Sequence, residues 1–353
     1  MSAGTHHGMG ARTGPPTADS QTDVRMDGTS GLRHERDATP GSAGLGRVGR
    51  RPMVRGREFR SYYGLPVLNE PTWKDHDIAG YLFLGGLAGA SATLAAAAEL
   101  TGRPDLARAG KVGAAGALAG SLYSLIHDLG RPERFINMLR VFKVTSPMSV
   151  GTWILTAFGP QCFAAAGTAV TGWFPRLGRA ATVGAGLTGT AVATYTAALI
   201  SDTAVPAWHD GYREMPFLFA GSAAASAGGL GMLAAPLAEA APARRAAVLG
   251  AAVESVAARR MERRLGHVGE PLRRSRLLRL GAALSLGGAL AGQVLGGRSR
   301  AAAVAAGAAL LAGSACTRFG IFHAGMESAG DPAYTVEPQR RRLARAEAER
   351  DLG

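Results

Sequence analysis

Eight long windows of small and apolar residues constrain this chain more than any other feature of its sequence. They cover residues 78–100, 107–127, 148–171, 180–202, 215–237, 244–260, 277–296 and 300–321. A helix needs about 20 mostly apolar residues to cross a bilayer. A soluble, alanine-rich helical protein is the alternative, but eight such windows separated by short loops argue against it. We therefore predict an all-α integral membrane protein with an eight-helix transmembrane bundle.

Glycine is abundant in these windows, and the whole chain contains 50 glycines. Glycine weakens helices in soluble proteins, but in a membrane it lets helix backbones approach closely. Pairs of glycines spaced by four residues recur at Gly85/Gly89, Gly116/Gly120 and Gly288/Gly292. The spacing predicts a tightly packed bundle.

The segments outside the windows have a different composition. Residues 1–57 are polar and rich in Arg and Gly, and they contain too little apolar surface to offset the chain entropy lost on folding. We predict that they form a disordered basic tail. Residues 58–77 are predicted to be a partner-docking, interfacial segment, residues 78–322 the transmembrane domain, and residues 323–353 a C-terminal interfacial tail.

The distribution of Lys and Arg predicts the orientation of the bundle. With eight spans both termini lie on one side, and 30 of the 39 Lys and Arg residues fall on that side. Without the two tails, that side has 13 Lys and Arg residues and the other side has 9. Residues 259–279 contribute most of the 13. Positive residues favour the cytoplasm. We predict a multi-pass protein of the cell (inner) membrane, with both termini in the cytoplasm and membrane lipid around the bundle.

Polar residues gather at the window ends that face this side. Asp77 precedes the first window, Asp128 follows the second, and Asp202 ends the fourth, which also contains Tyr195. Three acidic groups at equivalent depth are costly in a membrane unless they are paired or functional. Arg131 is the predicted partner of Asp128.

One acidic residue, Glu254, lies well inside a window. An ionisable group at this depth is either part of a proton path or the partner of a buried cation. The sequence leaves both interpretations open.

Residue usage excludes several kinds of chemistry. The two cysteines, Cys162 and Cys316, are too few for a Cys-ligated iron–sulfur cluster or a Cys₄ metal site, each of which needs about four thiolates. The eight histidines lie in tails, in loops or at window ends, which argues against haem held by two histidines within the bilayer. No Walker loop or dinucleotide fingerprint is present, and we predict neither a metal site nor a nucleic-acid partner.

The acidic, His and Tyr side chains at one end of the bundle suit a quinone headgroup. Quinone oxygens need hydrogen-bond donors and acceptors, and oxidation of a quinol releases two protons that nearby bases must accept. A passive membrane anchor and a small-solute transporter are the alternatives. Transporters often have broken spans and internal repeats, and neither is evident in the sequence.

Several motifs lie at the ends of the predicted spans. They are Pro71-Thr72-Trp73, Ile78–Leu87 (IAGYLFLGGL), Asp128–Phe135 (DLGRPERF), Thr145–Gly151 (TSPMSVG), Arg318–Gly320 (RFG) and Asp331–Val336 (DPAYTV). Through these motifs residues 61–338 resemble the NrfD/polysulfide-reductase membrane-subunit family, also called the DMSO-reductase anchor type. Two features differ from that family: its members often have Glu where this chain has Asp77, and the long basic N-terminal tail is not general.

The resemblance implies an eight-helix subunit that has no haem or iron–sulfur cluster of its own and binds menaquinone or ubiquinone. Such subunits exchange electrons with a ferredoxin-like iron–sulfur subunit, which in turn serves a molybdopterin catalytic subunit. The terminal active site of such an oxidoreductase therefore lies on another chain.

The resemblance also implies roles for particular residues. The quinone-site candidates are Asn69, His76, Asp77, Asp128, Arg131 and Tyr195. The partner-docking candidates are Tyr62, Tyr63 and Trp73. We add Asp202 and Glu254 as proton-path candidates because of their positions in the spans.

Overall fold

The computed structural model describes residue 68, residues 71–131 and residues 133–351. In this part of the chain every regular element is helical, as predicted. The helices are α1 Asp75–Leu100, α2 Pro104–Asp128, α3 Glu133–Met138, α4 Pro147–Thr171, α5 Pro175–Ser201, α6 Pro206–His209, α7 Met215–Ala234, α8 Ala241–Leu265, α9 Glu270–Arg274, α10 Arg276–Val294, α11 Arg300–Gly330 and α12 Ala333–Asp351. The predicted disordered tail, Tyr62, Tyr63 and Asn69 lie outside the described residues.

Each predicted window falls on one long helix, namely α1, α2, α4, α5, α7, α8, α10 and α11. Six of the described helices are long and apolar enough to cross a membrane: α1, α4, α5, α7, α10 and α11. Helices α2 and α8 are of similar length, but they carry charges such as Lys111 in α2 and Arg245 and Glu254 in α8. That these two helices also span the membrane stays a prediction.

Proline and serine residues fix where several helices begin. Pro104 and Pro147 occupy the first turns of α2 and α4, where a missing backbone N–H costs nothing. The Ser146, Ser275 and Ser299 side chains accept hydrogen bonds from backbone N–H groups in the first turns of α4, α10 and α11. These caps satisfy donors that no helical carbonyl can reach.

The eight long helices form two sets of four with the same packing order. In the first set α1 packs against α2 and α5, and α4 packs against α5. In the second set α7 packs against α8 and α11, and α10 packs against α11. Contacts of α1 with α7 and α11, and of α5 with α7, join the two sets. No repeat is evident in the sequence, because Ala and Gly fill both sets and few distinctive side chains mark equivalent positions.

Glycines bring helices of each set into backbone contact. Gly89 of α1 and Gly189 of α5 face each other so closely that a Cβ atom on either would overlap the other's backbone. The Thr93 hydroxyl donates to the Gly186 carbonyl oxygen across the same crossing, at 3.0 Å. Gly116 differs, since a Cβ atom there would meet nothing within 4 Å. The predicted role of glycine in packing is thus confirmed at Gly89 and wrong at Gly116.

Consecutive long helices run in opposite directions. One end of the bundle therefore contains the start of α1 and the end of α2 and, in the second set, the start of α7 and the end of α8. We call this end the site end. Helix α6 is packed into it: Trp208 is fully buried, and its indole N–H donates to the Ile321 carbonyl oxygen at 2.8 Å. Trp73 stacks on Trp208 with 5.8 Å between ring centroids.

The C-terminal part of the chain is helical at the site end. Helix α11 continues to Gly330, beyond the predicted boundary at residue 322, and α12 follows after Asp331 accepts a hydrogen bond from the Ala333 backbone N–H at 2.9 Å. His267 packs against Tyr334, with 5.0 Å between ring centroids, and lies 3.1 Å from the Glu337 carboxylate. These contacts attach α12 to the segment between α8 and α9.

An ion pair at the site end of the second set makes stability depend on pH. Arg264 donates from Nε and Nη2 to the two carboxylate oxygens of Glu214, at 2.7 and 2.5 Å. These hydrogen bonds hold the pKa of the Glu214 carboxyl below its usual range. Because the folded pKa is depressed, the stabilisation is present at neutral pH and is lost as the pH falls through that folded pKa.

We expect Glu214→Gln to lower the free energy of unfolding at neutral pH by roughly 1 kcal/mol, because a partly buried, two-point ion pair is lost. The difference from wild type should disappear in acid, once the pH has fallen below the depressed folded pKa of Glu214 and the wild-type carboxyl is also protonated. Thermal unfolding in detergent at several pH values measures both effects. Glu262→Gln is the matched control, and an equal effect of that variant would contradict the assignment.

Candidate functional site

A buried carboxylate–histidine pair joins the first turn of α1 to the last turn of α2. The Asp77 side chain is only 6% exposed, and its Oδ2 atom lies 2.7 Å from Nδ1 of His127. The Lys74 ammonium group lies 3.9 Å from the same carboxylate. An acid near a helix N-terminus and an imidazole near a helix C-terminus both complement the helix dipoles. The helix ends therefore hold this pair in place electrostatically.

Asp128, next to His127 in sequence, caps the start of the neighbouring helix. Lys74 precedes α1 and has no side-chain cap of its own. Its backbone N–H instead donates to Oδ1 of Asp128 at 3.2 Å. Two carboxylates from different helices thus meet at the N-terminal end of α1, where helix N–H groups favour negative charge.

The predicted ion pair between Asp128 and Arg131 is not formed. Gly130, which follows the end of α2, has a positive φ of 68°, and such a residue turns the chain away from the helix axis. Arg131 is therefore exposed, and Asp128 is held by the Lys74 backbone instead. Arg131 lies near the pair in sequence without contacting it.

Two tyrosines form a layer one helical turn deeper than Asp77. Tyr81 follows Asp77 by four residues, so it lies on the same face of α1, and it is almost fully buried. Its hydroxyl lies beside the Tyr195 hydroxyl from α5. The Tyr195 phenol in turn packs against the backbone of Gly151 in α4, in space that any Cβ atom there would fill. Tyr195 thus lies beside Tyr81, and no contact of Tyr195 with Asp77 is found among the described residues.

The remaining predicted site residues differ in how they relate to this cluster. The His76 ring is 73% exposed and lies 3.9 Å from Asp77. Asp202 is exposed at the end of α5, and among the described residues its side chain has no hydrogen-bond or ion-pair partner. Trp73 is half-buried because its ring stacks on Trp208.

Sequence reasoning missed His127 and Tyr81 as site residues. Tyr81 could have been found from its four-residue spacing to Asp77, which places both on one face of a helix. The family resemblance implies a role for His76, which is adjacent to Asp77 in sequence, and gives no signal for His127. Adjacent residues on a helix point about 100° apart, whereas the last turn of an antiparallel neighbour faces the first turn directly.

The geometry of the Asp77–His127 pair suits proton transfer at a surface. Nδ1 of His127 faces the carboxylate, so the hydrogen bond fixes the ring and leaves Nε2 available on the outer side. The His127 ring is 46% exposed and stacks on Tyr123, with 5.8 Å between ring centroids. The exposed side of the His127 ring can therefore exchange a hydrogen bond with a ligand oxygen at Nε2.

Comparison with known protein families gives a match over the N-terminal and central helices. The family described as polysulphide reductase, NrfD, matches residues 65–250, more than half of the chain. A comparison with curated proteins finds no match. The matched range contains α1, α2, α4, α5 and α7, including every residue of the Asp77–His127 cluster.

This match agrees with the helical structure. Six helices are apolar and long enough to cross a membrane, and the family indicates a membrane subunit of a polysulphide-reductase-like oxidoreductase complex. The chain is thus a multi-pass membrane protein, and it belongs to the polysulphide reductase NrfD family.

Proposed function

We propose that this chain is the quinol/quinone-binding membrane subunit of an oxidoreductase complex, with eight spans and both termini in the cytoplasm. It would exchange electrons between the membrane quinone pool and an iron–sulfur partner subunit. The observation that carries the proposal is the Asp77–His127 pair, which places an oriented imidazole at the exposed edge of a buried carboxylate. Menaquinone or ubiquinone is the proposed substrate.

The residues of the pair would take up the proton that quinol oxidation releases at one ring oxygen. Nε2 of His127 would accept this proton, and the Asp77 carboxylate would stabilise the imidazolium that forms. Lys74 and the N-terminal end of α1 would make the electrostatic potential positive where the headgroup binds. Tyr123 would stack against the quinone ring, and the isoprenoid tail would lie along the apolar helix surfaces.

Deeper groups would complete the site. Tyr81 and Tyr195 supply a hydroxyl pair one turn below Asp77. Asp128 supplies a second carboxylate at the level of Asp77, at the start of α1. Asn69, His76 and Arg131 remain proposed as further headgroup contacts. Asp202, exposed at the site end, is proposed as an exit for protons to the aqueous phase.

The partners proposed for the complex are a ferredoxin-like iron–sulfur subunit and a molybdopterin catalytic subunit. They would dock at the site end, since electrons must pass from the quinone to the nearest cluster. Tyr62, Tyr63 and Trp73 are the proposed docking residues. Trp73 supports this placement because its half-buried ring continues the packed aromatic surface of Trp208.

Calorimetric titration of the purified full-length chain with a short-tail quinone analogue tests the proposal. We expect saturable binding, weakened about 10-fold by His127→Ala, because one hydrogen bond to the headgroup is worth about 1 kcal/mol or more. His323→Ala is the matched control, since its ring is also 46% exposed and it also contacts an α1 aspartate, Asp75. That variant should bind like wild type.

Two results would overturn the proposal. Absence of binding by the wild-type chain, with the complex still assembled, would favour a passive anchor. Uptake of a small solute by vesicles that contain the chain without a redox partner would favour a transporter, for which the repeated four-helix sets offer a structural basis.

A further inference from the structure

A buried arginine lies in the middle of the bundle, away from the site end. Arg318 of α11 is fully buried. Its Nη2 donates to the Phe219 carbonyl oxygen at 2.7 Å, and its guanidinium group lies 3.7 Å from the centroid of the Phe219 ring. Its Nε and Nη1 atoms have no hydrogen-bond partner among the described residues. The cation thus has its own stabilising contacts on one side and free donors on the other.

A buried glutamate faces this arginine. Glu254 of α8 is only 4% exposed, and its Oε1 accepts a hydrogen bond from the Thr317 hydroxyl at 2.7 Å. Its Oε2 is buried and has no hydrogen-bond partner among the described residues. Hydroxyl groups of Ser222 and Ser285 also lie beside the carboxylate. Arg318 is the charged group that faces Glu254 from the helices packed around it.

The two groups interact electrostatically without touching. Their nitrogen and oxygen atoms do not come within the 4.0 Å of an ion pair, although both are buried and opposite in charge. A buried charge is tolerated only when hydrogen bonds or a close partner compensate for lost hydration. Free donors on Arg318 and a free acceptor on Glu254 match water, which donates and accepts at once. Such a water would also carry protons to and from Glu254.

Arg318 lies closer to the middle of the bundle than the proposed quinone site does, as measured along α1. Nη2 of Arg318 lies 3.2 Å from the position that a Cβ atom on Gly86 would occupy. Gly86 follows Asp77 by nine residues, which corresponds to about 13 Å along the helix. The tyrosine pair at Tyr81 and Tyr195 lies between these levels. Polar groups thus descend from the site end towards the middle of the bundle.

We propose that Glu254 and Arg318 form a buried, water-bridged proton-exchange pair. An O–H bond of a protonated bridging water (H₃O⁺) would break as one forms at Oε2 of Glu254, which leaves a neutral water, and the reverse step would release the proton. Arg318 would keep its charge throughout, stabilised by Phe219 when Glu254 is neutral. Glu254, Thr317 and Arg318 all lie beyond the matched family range, which ends at residue 250. The exchange itself does not require the proposed quinone function, because solvent can supply the proton; only its supply from quinol during turnover rests on that function.

Infrared difference spectroscopy of the purified chain, without quinone, tests this pair. Between acidic and alkaline pH we expect a carboxylic-acid carbonyl band that shifts in D₂O within the time of solvent exchange and is lost in Glu254→Gln. Glu262→Gln should retain the band. Thr317→Val should shift the frequency of the Glu254 band, because the hydrogen bond to Oε1 is removed while the acid remains. This variant replaces Glu254→Gln in the test if Glu254→Gln does not fold.

The outcomes separate this inference from the proposed function. A spectrum that neither substitution changes, or a Glu254 band that resists exchange in D₂O, would overturn the proton-exchange pair. Quinone-analogue binding should be unchanged in Glu254→Gln, because Glu254 is remote from the Asp77–His127 pair. Loss of binding in His127→Ala with an intact Glu254 band would support both proposals, and absence of binding in wild type with that band present would reject only the quinone site.

Discussion

Replacing Asp77 with Asn is expected to lower quinol-dependent electron transfer through the assembled complex at least about 100-fold, because His127 would no longer act as a general base, an effect worth about 100-fold or more. An amide cannot stabilise the imidazolium of His127, and it can also turn its NH₂ group towards Nδ1 and favour the opposite ring tautomer. Oxidation of a quinol analogue by membranes that contain the complex measures the effect. The amount of assembled complex, followed in parallel, separates catalysis from folding.

Asp75→Asn is the matched control for this variant. Asp75 lies in the same first turn of α1 but is largely exposed and contacts His323, at 3.2 Å, instead of His127. We expect that variant to keep most of the electron-transfer rate. Equal losses in both variants would mean that charge at the start of α1, rather than the Asp77–His127 pair, supports activity.

Replacing Gly89 with Leu is expected to prevent α1 and α5 from packing together. The new side chain would overlap the backbone of Gly189 and Ala193, which cannot move without separating the helices. We expect a loss of about 3 kcal/mol, the upper end of ordinary overpacking, and little folded protein in the membrane. Thermal unfolding in detergent and the yield of monodisperse protein measure it.

Gly116→Leu provides the comparison. Gly116 is exposed on α2, and nothing lies within 4 Å of its would-be Cβ atom. We expect this variant to fold as well as wild type or slightly better, since leucine favours helix more than glycine does. A similar loss at both positions would show that close backbone contact is not what makes Gly89 necessary.

The long helices could be predicted from the sequence because length and apolar composition are local properties. The eight windows lie on eight long helices, and the end of α2 at Asp128 follows from Gly130. The depth of polar residues could be predicted in the same way, which is why Asp77 and Asp128 were correctly placed near each other. Their partners could not be read off, since these depend on how antiparallel helix ends meet.

Three particular outcomes show this limit. His127 rather than His76 contacts Asp77 closely, because neighbours on one helix diverge while facing helix ends converge. Asp128 binds the Lys74 backbone, a group that every residue carries and no sequence pattern marks. Choosing between the two interpretations of Glu254 requires the position of Arg318. This residue is 64 residues away in sequence and becomes a neighbour only because α8 and α11 pack around α7.

The most direct measurement of the central claim is the location at which a photoreactive quinone analogue labels the full-length chain. Mass spectrometry of the digested protein should place the label at the end of α2, on residues 123–128, and at the start of α1, on residues 73–81. Excess unlabelled quinone should suppress it. Labelling spread over the lipid-facing surfaces of α4, α5 and α10, without competition by quinone, would contradict a quinone site at the Asp77–His127 pair.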